Sequence, residues 1–430
     1  MNVNAPRGTI DIFGEDIKYR NFIIDTAREL FSVFNYQEIV TPTFEYTEVF
    51  TRSIGEGTDI VQKEMYTFED KKGRSLTLRP EGTASVVRAF VENKMFQEHL
   101  PVKLFYIGSM FRYERPQKGR MREFSQLGVE SIGTNNPMMD VEVIWLLNSL
   151  FKELGFVDLV LLINSIGCSN CRESFVEDFK AFILPHLEKL CPDCRKRYTQ
   201  NPLRIFDCKN RHCRKVLEGS PRVLSYLCTD CREHFEKVLG YLDVLKIKYR
   251  IDHSLVRGFD YYTQTIFEIV SYQIESAQNA LGGGGRYNNL VEQFGGPSLP
   301  AVGFAVGIDR TLMLLKKLCI EVNLNENRPR IYLIVLDEEY SSYCLEILQY
   351  LREHSYTCDT NYNAKKLGTE LKWAEKGGYD FSIIVGEDEV KTHNITVKDM
   401  KTRNQYRIDW STGKKEILTL LSRDTSPSRR

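Results

Sequence analysis

Two arginine-containing segments constrain the fold of this 430-residue chain more than any other feature of its sequence. The first, Phe111–Pro116, is an Arg-x-Glu-x-Pro element that comes shortly after the apolar run Leu104–Ile107. The second, Gly303–Arg310, is a glycine-spaced apolar segment that ends in an arginine. A planar guanidinium binds phosphate oxygens in a bidentate manner and keeps its charge. A fold that brings the two segments together is therefore suited to a substrate that carries phosphate.

In this order, the two segments resemble motifs 2 and 3 of the class II aminoacyl-tRNA synthetases. Leu255–Thr263 and Gly284–Tyr287 are similar to the two histidine-specific motifs of the histidyl-tRNA synthetase family, and Leu78–Thr83 extends the match. The resemblance covers essentially the whole chain. It implies an α+β catalytic core with an antiparallel sheet and a C-terminal α/β anticodon-binding domain. It also implies a histidine–tRNA ligase, which activates L-histidine with ATP and transfers it to the 3′ end of histidine tRNA.

The resemblance also implies the residues of the adenylate-forming site. Arg112 and Arg257 are the catalytic arginines, and both contact the α-phosphate of ATP, which is bound together with Mg²⁺. Arg257 takes a role that metal fills in other class II enzymes. The implied ATP-binding residues are Arg112, Glu114, Arg120, Phe124 and Arg310. A fixed positive charge in a dry site stabilises the charge that develops on the phosphate. The alternative for any single arginine is a surface ion pair, which contributes about 0–1 kcal/mol.

Free histidine offers an ammonium, a carboxylate and an imidazole, and the resemblance implies a group for each. The implied histidine-binding residues are Glu81, Thr83, Arg112, Gln126, Glu130, Arg257, Tyr261, Tyr262 and Tyr287. Glu130 and Tyr262 read the imidazole, which has one donor and one acceptor when neutral and two donors when charged. The alternative for a tyrosine considered alone is a core aromatic with a satisfied hydroxyl.

Eight of the eleven cysteines fall into four closely spaced pairs between residues 168 and 231. The pairs are Cys168/Cys171, Cys191/Cys194, Cys208/Cys213 and Cys228/Cys231. Two such pairs complete a tetrahedral zinc site, whereas the reducing cytosol disfavours disulfides. The spacing therefore favours a structural zinc site with no open coordination position, and free thiols are the alternative. Because Arg112, Arg257 and Arg310 lie outside this region, ATP–pyrophosphate exchange is expected to survive mild chelation.

The order of apolar periods and breaks predicts the organisation of the chain. An amphipathic helix at Ile17–Phe34 and the strand Glu38–Val40 correspond to motif 1, which in the family forms a homodimer interface. Gly282–Gly285 is predicted to be a tight turn that permits close backbone approach. The predicted parts are a catalytic core at 1–164 and 236–322, a cysteine-rich insertion at 165–235, a linker at 323–330, an anticodon-binding domain at 331–422, and a tail at 423–430.

The bulk composition limits the classes of function. Apolar residues make up 42% of the chain and charged residues 27%, as in globular proteins. No stretch approaches the roughly 18 apolar residues of a membrane span, and the N-terminus has no apolar signal core, so a cytoplasmic protein without a membrane partner is expected. The 58 basic and 58 acidic residues argue against a nonspecific nucleic-acid binder. A local basic excess at 191–222 fits either a solvated helical surface or an RNA-facing one.

Three other functions remain as alternatives from the sequence. A histidine-sensing regulatory subunit of ATP phosphoribosyltransferase shares the catalytic fold, but such subunits typically lack the second arginine motif and the C-terminal domain. A synthetase for glycine, threonine or proline shares the C-terminal domain type but not the segment Arg257–Tyr262. A zinc-dependent RNA-binding module with an inactive core is the third alternative. ATP–pyrophosphate exchange with each amino acid distinguishes all of them.

Overall fold

A computed structural model of the chain describes residues 3–422, except 56, 118, 273–279, 321, 323–328 and 364–365. The chain divides into two units, Met1–Val322 and Asn323–Arg430. The predicted tail at 423–430 and most of the predicted linker at 323–330 lie outside the described residues. No helix of the described part is long and apolar enough to cross a membrane.

The first unit is built on a large sheet whose central part is antiparallel. The strands of the first unit are β1 (Gln37–Glu38), β2 (Phe44–Tyr46), β3 (Tyr66–Glu69), β4 (Ser75–Leu78), β5 (Val102–Phe111), β6 (Glu123–Ile132), β7 (Val160–Ser165), β8 (Tyr249–Ile251), β9 (Thr263–Val270), β10 (Ala280–Arg286) and β11 (Ala301–Gly307). Eight of them form a sheet in the order β1-β5-β6-β11-β10-β9-β7-β8, and β2, β4 and β3 form a small sheet. The strands from β5 to β7 in that order pair antiparallel, and the edge strands β1 and β8 pair parallel. The predicted antiparallel core is confirmed.

The prediction of a tight turn at Gly282–Gly285 is wrong, because these residues form the middle of the central strand β10. The close backbone approach that motivated the prediction is present. A Cβ on Gly284 would lie 1.9 Å from the carbonyl oxygen of Gly303, and one on Gly285 would lie 2.6 Å from that of Thr265. Contact with β9 and β11, rather than a reversal of the chain, requires glycine here.

Helices cover the sheet and form most of the region between β7 and β8. The α-helices of the first unit are α1 (Glu15–Val33), α2 (Thr47–Ile54), α3 (Thr83–Glu92), α4 (Pro137–Glu153), α5 (Ser169–Ile183), α6 (Pro192–Gln200), α7 (Arg211–Leu217), α8 (Thr229–Val244), α9 (Leu290–Gln293) and α10 (Ile308–Lys317). α1 buries Ile23, Ala27 and Phe31, at the helical spacing that the sequence shows, in the main core of the unit.

A buried ion pair joins α4 to the end of β10. The Arg286 guanidinium donates from Nε and Nη2 to the Asp140 carboxylate at 2.6–2.9 Å, and both side chains are fully buried. His234 on α8 lies 3.2 Å from the same carboxylate. Burial alone would raise the pKa of Asp140, but Arg286 and His234 outweigh it and the pKa is lowered. The charge at position 140 is therefore retained inside the core.

Residues 165–235 contain α5, α6, α7 and the start of α8, joined by short turns. Phe175 and Phe179 on α5 stack against each other, with ring centroids 5.5 Å apart, and Phe179 also stacks on Phe206 at 4.9 Å. These rings form a separate small core together with buried cysteines. The cysteine-rich region thus has an interior of its own within the first unit.

The second unit is a small α/β fold with its own core. Its elements are β12 (Arg330–Val335), α11 (Ser341–Glu353), β13 (Thr357–Thr360), α12 (Leu367–Lys376), β14 (Phe381–Val385), α13 (Glu387–Lys391), β15 (Asn394–Asp399), β16 (Gln405–Asp409) and α14 (Lys414–Leu421). The sheet order is β13-β12-β14-β15-β16, parallel through the first three strands and antiparallel through the last three. Ile331, Ile383 and Ile395 are fully buried in its centre.

Candidate active site

All of the predicted ATP- and histidine-binding residues line one cavity of about 930 Å³ on the first unit. They come from separate parts of the chain: the loop before α3, the β5–β6 hairpin, the loop before β9, the end of β10 and the start of α10. The residues brought together are Glu81, Thr83, Arg112, Glu114, Arg120, Phe124, Gln126, Glu130, Arg257, Tyr261, Tyr262, Tyr287 and Arg310. The sheet provides the rigid base on which these loops converge.

A buried carboxylate lies at the inner end of the cavity. Glu130 on β6 is 1% exposed and accepts hydrogen bonds from the Thr83 hydroxyl, at 2.7 Å, and from the Tyr287 hydroxyl. Burial raises the pKa of Glu130 to about 8, although both hydrogen bonds oppose the shift. This carboxyl can therefore change its protonation when a basic ring binds beside it.

The Glu81 carboxylate caps the first turn of α3. Its two oxygens accept from the backbone N–H groups of Thr83, at 2.6 Å, and Ala84, at 2.8 Å. Burial raises the pKa of Glu81, and these backbone donors lower it. Because a carboxylate oxygen has more than one acceptor site, Glu81 can still bind a ligand ammonium while it caps the helix.

On strands β5 and β6, two polar atoms of the cavity lining are buried without a hydrogen-bond partner among the described residues. They are Oε1 of Gln126 and the hydroxyl oxygen of Tyr106. Both side chains line the cavity. Buried polar atoms are nearly always paired in folded proteins, and a polar ligand in the cavity would supply the partner that these two atoms lack. Tyr106 was not identified from the sequence, since a tyrosine within an apolar strand looks like a core residue.

Arg257 lies in the middle of the cavity beside a carboxylate. Its Nη1 donates to Glu268 Oε1 at 2.7 Å, and its guanidinium lies over the Tyr262 ring, 5.6 Å from the centroid. Glu268 is on β9, and a Cβ on the neighbouring Gly283 would approach Arg257 Nη1 to 2.9 Å. The glycine of β10 therefore leaves the space that the arginine occupies. Glu268 was also missed, because strand pairing is needed to place it beside Arg257.

Arg112 and Phe124 face each other at the base of the β5–β6 hairpin. The Arg112 Nε donates to the Pro80 carbonyl oxygen at 2.9 Å. Its guanidinium lies 5.2 Å from the centroid of Phe124 and 5.7 Å from that of Phe259. The two rings lie close to the guanidinium without neutralising it, so its charge remains available for an anion.

Two further arginines lie at the outer part of the cavity. Arg120 pairs closely with Glu114 and has Glu64 at 3.9 Å. Arg310, at the start of α10, donates to the carbonyl oxygens of Gly119, at 3.0 Å, and Ala280, at 3.1 Å. Burial lowers the pKa of both arginines, and neighbouring arginines lower the pKa of each further. This mutual repulsion indicates a site that a polyanion would stabilise.

The cysteine-rich region also contributes to the wall of the cavity, which the sequence did not predict. Asp193, Arg197, Arg204, Asp207 and Lys209 line it beside the core residues. Burial lowers the pKa of Lys209, and Arg120 and Arg310 lower it further, so these cations lie near one another. The region therefore borders the active-site cavity.

The eight paired cysteines form two groups of four. Cys168, Cys171, Cys228 and Cys231 make one group and Cys191, Cys194, Cys208 and Cys213 the other, with the sulfurs of each group within 4.8 Å of one another. The first and last cysteine pairs in the sequence thus form one group, and the two pairs between them form the other. None of the eight forms a disulfide.

A family model described as histidyl-tRNA synthetase matches residues 8–178 and 196–311. The chain belongs to the histidyl-tRNA synthetase family. A second model, described as an anticodon binding domain, matches residues 324–420. The two models together match both units of the chain, and the predicted fold class is confirmed. The unmatched stretch between 178 and 196 lies in the cysteine-rich region and includes Cys191 and Cys194.

Curated family members resemble the chain over nearly its whole length. The histidine–tRNA ligase of Halothermothrix orenii is 50% identical over 95% of this chain and 97% of its own length. That of Caldicellulosiruptor saccharolyticus is 43% identical over 94% of this chain and 96% of its own. The crystal structure of apo Staphylococcus aureus histidyl-tRNA synthetase matches with a TM-score of 0.81 and 36% identity, covering 96% of this chain and 99% of that one.

Proposed function

We propose that this protein is a histidine–tRNA ligase that activates L-histidine with Mg²⁺-bound ATP. The histidine carboxylate attacks the α-phosphorus, the bond to the β-phosphate oxygen breaks, and pyrophosphate leaves. A ribose hydroxyl at the 3′ end of histidine tRNA then attacks the acyl carbon, and AMP leaves. The observation that carries the proposal is the convergence of the family's motif residues on one cavity, in a chain that is half identical to a named histidine–tRNA ligase.

In this proposal Arg112 and Arg257 act on the α-phosphate. Each guanidinium faces aromatic rings in the cavity, which restrict its orientation. Fixed charges of this kind stabilise the negative charge that builds on the phosphate, and they need not reorganise during the reaction. Arg120 and Arg310 bind the outer phosphates, Phe124 stacks on the adenine, and Glu114 holds Arg120 in place.

The histidine side of the cavity provides a group for each charge of the substrate. Glu81, Thr83 and the unpaired Gln126 Oε1 bind the ammonium. Glu130 and Tyr262 bind the imidazole, and Tyr287 orients Glu130 through its hydroxyl. Because burial raises the pKa of Glu130 to about 8, the carboxyl can donate a hydrogen bond to the ring when protonated and accept one when ionised. Tyr261 closes the pocket by packing on Tyr262, with centroids 4.6 Å apart.

We also assign the parts of the chain to steps of aminoacylation. Residues 1–164 and 236–322 carry catalysis, 165–235 form the insertion, and 331–422 recognise the anticodon of the tRNA. We infer a homodimer in the cytoplasm, with motif 1 at the interface. Val33 at the end of α1 and Val40 after β1 are 76% and 83% exposed, so this region offers apolar surface for a second copy.

We propose structural zinc at both cysteine groups. Zn–S bonds of about 2.3 Å place the sulfurs of a tetrahedral site about 3.8 Å apart. The sulfurs of Cys191 and Cys208 are 3.8 Å apart, and those of Cys168 and Cys171 are 3.5 Å apart. Backbone N–H groups donate to Sγ of Cys213 and of Cys171. Such hydrogen bonds commonly support metal-bound thiolates.

Burial raises the pKa of the thiols of Cys194 and Cys231. A bound cation is therefore needed before all four thiols of a group can ionise together. A zinc ion would supply that charge and would complete its coordination with the four thiolates, so no position remains for substrate.

The test of the proposed function is ATP–pyrophosphate exchange by the purified protein with each of the twenty amino acids in turn. Exchange that depends on histidine, and charging of histidine tRNA, are the expected results. A folded protein that exchanges equally without histidine, or with glycine, threonine or proline in its place, would refute the assignment. A protein that binds histidine but shows no exchange would instead support a regulatory subunit.

A further inference from the structure

We propose that three side chains of the cysteine-rich insertion, Arg172, Asn201 and Arg204, position the active-site segment 257–262. The inference rests on the proposed function, because that function assigns Arg257 to the phosphate and Tyr262 to the imidazole. It goes further by giving the insertion a direct role in adenylate formation.

The segment 257–262 is irregular backbone between β8 and β9, so it lacks the hydrogen bonds that a strand or a helix would provide. Its carbonyl and carboxylate oxygens need other donors, and irregular segments usually rely on neighbouring elements to hold one conformation. The core contributes a hydrogen bond from the Asp260 N–H to the Ile54 carbonyl oxygen.

The insertion provides donors at every second residue of the segment. Arg204 Nη1 donates to the Gly258 carbonyl oxygen at 3.2 Å. Asn201 Nδ2 donates to the Asp260 carboxylate at 2.6 Å. These two bonds lie on either side of Phe259, directly after the catalytic Arg257.

The third donor reaches the histidine pocket. Arg172 Nη2 donates to the Tyr262 carbonyl oxygen at 2.5 Å. Arg172 follows Cys171 directly, so its backbone adjoins the first cysteine group. A charged donor to a carbonyl forms a stronger hydrogen bond than a neutral donor, and it fixes the backbone that carries the Tyr262 ring.

The other two donors lie on the segment that joins two cysteines of the second cysteine group. Asn201 and Arg204 lie between Cys194 and Cys208, both of which belong to this group. The Arg204 guanidinium is also fixed by Asp207, whose Oδ2 lies 3.1 Å from its Nε. Arg204 is 15% exposed at its side chain, so water competes little for these bonds.

A further contact ties the same region to the other wall of the cavity. Arg197 Nη2 lies 3.5 Å from the Asp59 carboxylate, and Arg197 Nη1 donates to the Arg204 carbonyl oxygen at 3.1 Å. Asp59 precedes the helical turn Ile60–Glu64, which lines the cavity. The insertion thus connects two walls of the site. The contacts lead us to expect that catalysis depends on the insertion, whereas the sequence alone favoured independence.

The experiment compares Arg204→Met and Arg172→Met with a matched control, Arg195→Met. Arg195 lies in the same insertion and also donates to backbone carbonyls, those of Leu190 and Glu188, and both of these acceptors lie within the insertion. For Arg204→Met we expect kcat of histidine-dependent exchange to fall about tenfold while KM for histidine changes less than about twofold. For Arg172→Met we expect KM for histidine to rise about tenfold. The control should change neither.

A conservative variant and an independent probe keep the test decisive. Arg204→Lys retains a donor for the Gly258 carbonyl and should restore most of kcat. Asn201→Ala removes the Asp260 contact and should lower kcat even if Arg204→Met fails to fold. Metal content and thermal midpoint should match wild type in every variant compared. Equal kcat for Arg204→Met and Arg195→Met would overturn the inference, while a wild-type protein without histidine-dependent exchange would instead overturn the proposed function.

Discussion

Replacing Glu130 by glutamine should stabilise the free protein and weaken its binding of histidine. Burial raises the pKa of this carboxyl from 4.5 to about 8. The folded state therefore holds a proton that the unfolded chain has already released, and stability is lost as the pH rises from about 4.5 to about 8. Each pH unit in that window costs about 1.4 kcal/mol, so the loss reaches about 3 kcal/mol by pH 7 and about 5 kcal/mol above pH 8.

A glutamine at position 130 does not titrate and keeps an acceptor for the Thr83 hydroxyl. The difference in free energy of unfolding between Glu130→Gln and wild type should therefore grow with pH and level off above pH 8. Urea unfolding at pH 4.5, 6, 7 and 8 measures this difference. Glu92→Gln is the control, because that carboxylate is 65% exposed at the side chain and its removal should leave the pH dependence unchanged.

The same substitution removes a carboxyl that can ionise beside the imidazole when the ring binds. A hydrogen bond to a charged group contributes about 1.5–3 kcal/mol, so histidine affinity at pH 7 should fall about 10- to 100-fold. Isothermal titration with histidine measures it, and ATP affinity should remain unchanged. A stability difference that does not vary with pH, together with unchanged histidine affinity, would show that Glu130 is neither perturbed nor in contact with the substrate.

Three further predictions follow from the assigned roles. Arg257→His should lower the exchange rate more than it weakens histidine binding, since the lost contact is strongest in the transition state; equal losses by pre-steady-state kinetics and titration would contradict this role. Deleting residues 329–430, which include a unit with its own core, should leave exchange partly intact and should abolish the sensitivity of tRNA charging to anticodon changes. A truncated protein that still discriminates between anticodons would show that another part of the chain recognises the anticodon. Elemental analysis should find about two zinc ions per chain, and their removal by a thiol-directed reagent should lower exchange with Mg²⁺ present. Protein purified without zinc would refute the zinc sites, and full exchange after zinc removal would refute their link to catalysis.

The sequence was sufficient to predict a helix or a strand where apolar residues recur with the period of that element. The second unit shows this best, because the apolar patterns of Leu367–Lys376 and Phe381–Val385 suit the helix and the strand that these residues form. The buried apolar residues of α12 pack in one cluster with Tyr332 and Tyr379, and those of β14 pack in another with Ile331 and Ile395. The glycine run of β10 was misassigned because glycine has a low strand propensity, and neighbouring strands override that preference.

From the sequence, only those residues of the active site that belong to the family motifs could be predicted. The resemblance identified the residues that line the cavity, but not Tyr106, Glu268 or the insertion side chains that contact the segment 257–262. These partners are set by strand register and by packing between distant segments, which no local spacing encodes. The cysteine spacing likewise predicted pairs of ligands, whereas the grouping of the first pair with the last, and of the two pairs between them, follows from the fold.

The buried pair of Asp140 and Arg286 has a consequence for the order in which the chain can fold during its own synthesis. The two residues are 146 positions apart. At about 5–20 residues per second, the ribosome needs roughly 7–30 s to extend the nascent chain from one to the other. Throughout that interval α4 carries a carboxylate that is expensive to bury without its guanidinium. We therefore expect α4 to pack into the core only after β10 has been synthesised, which would make closure of the first unit a late step of folding.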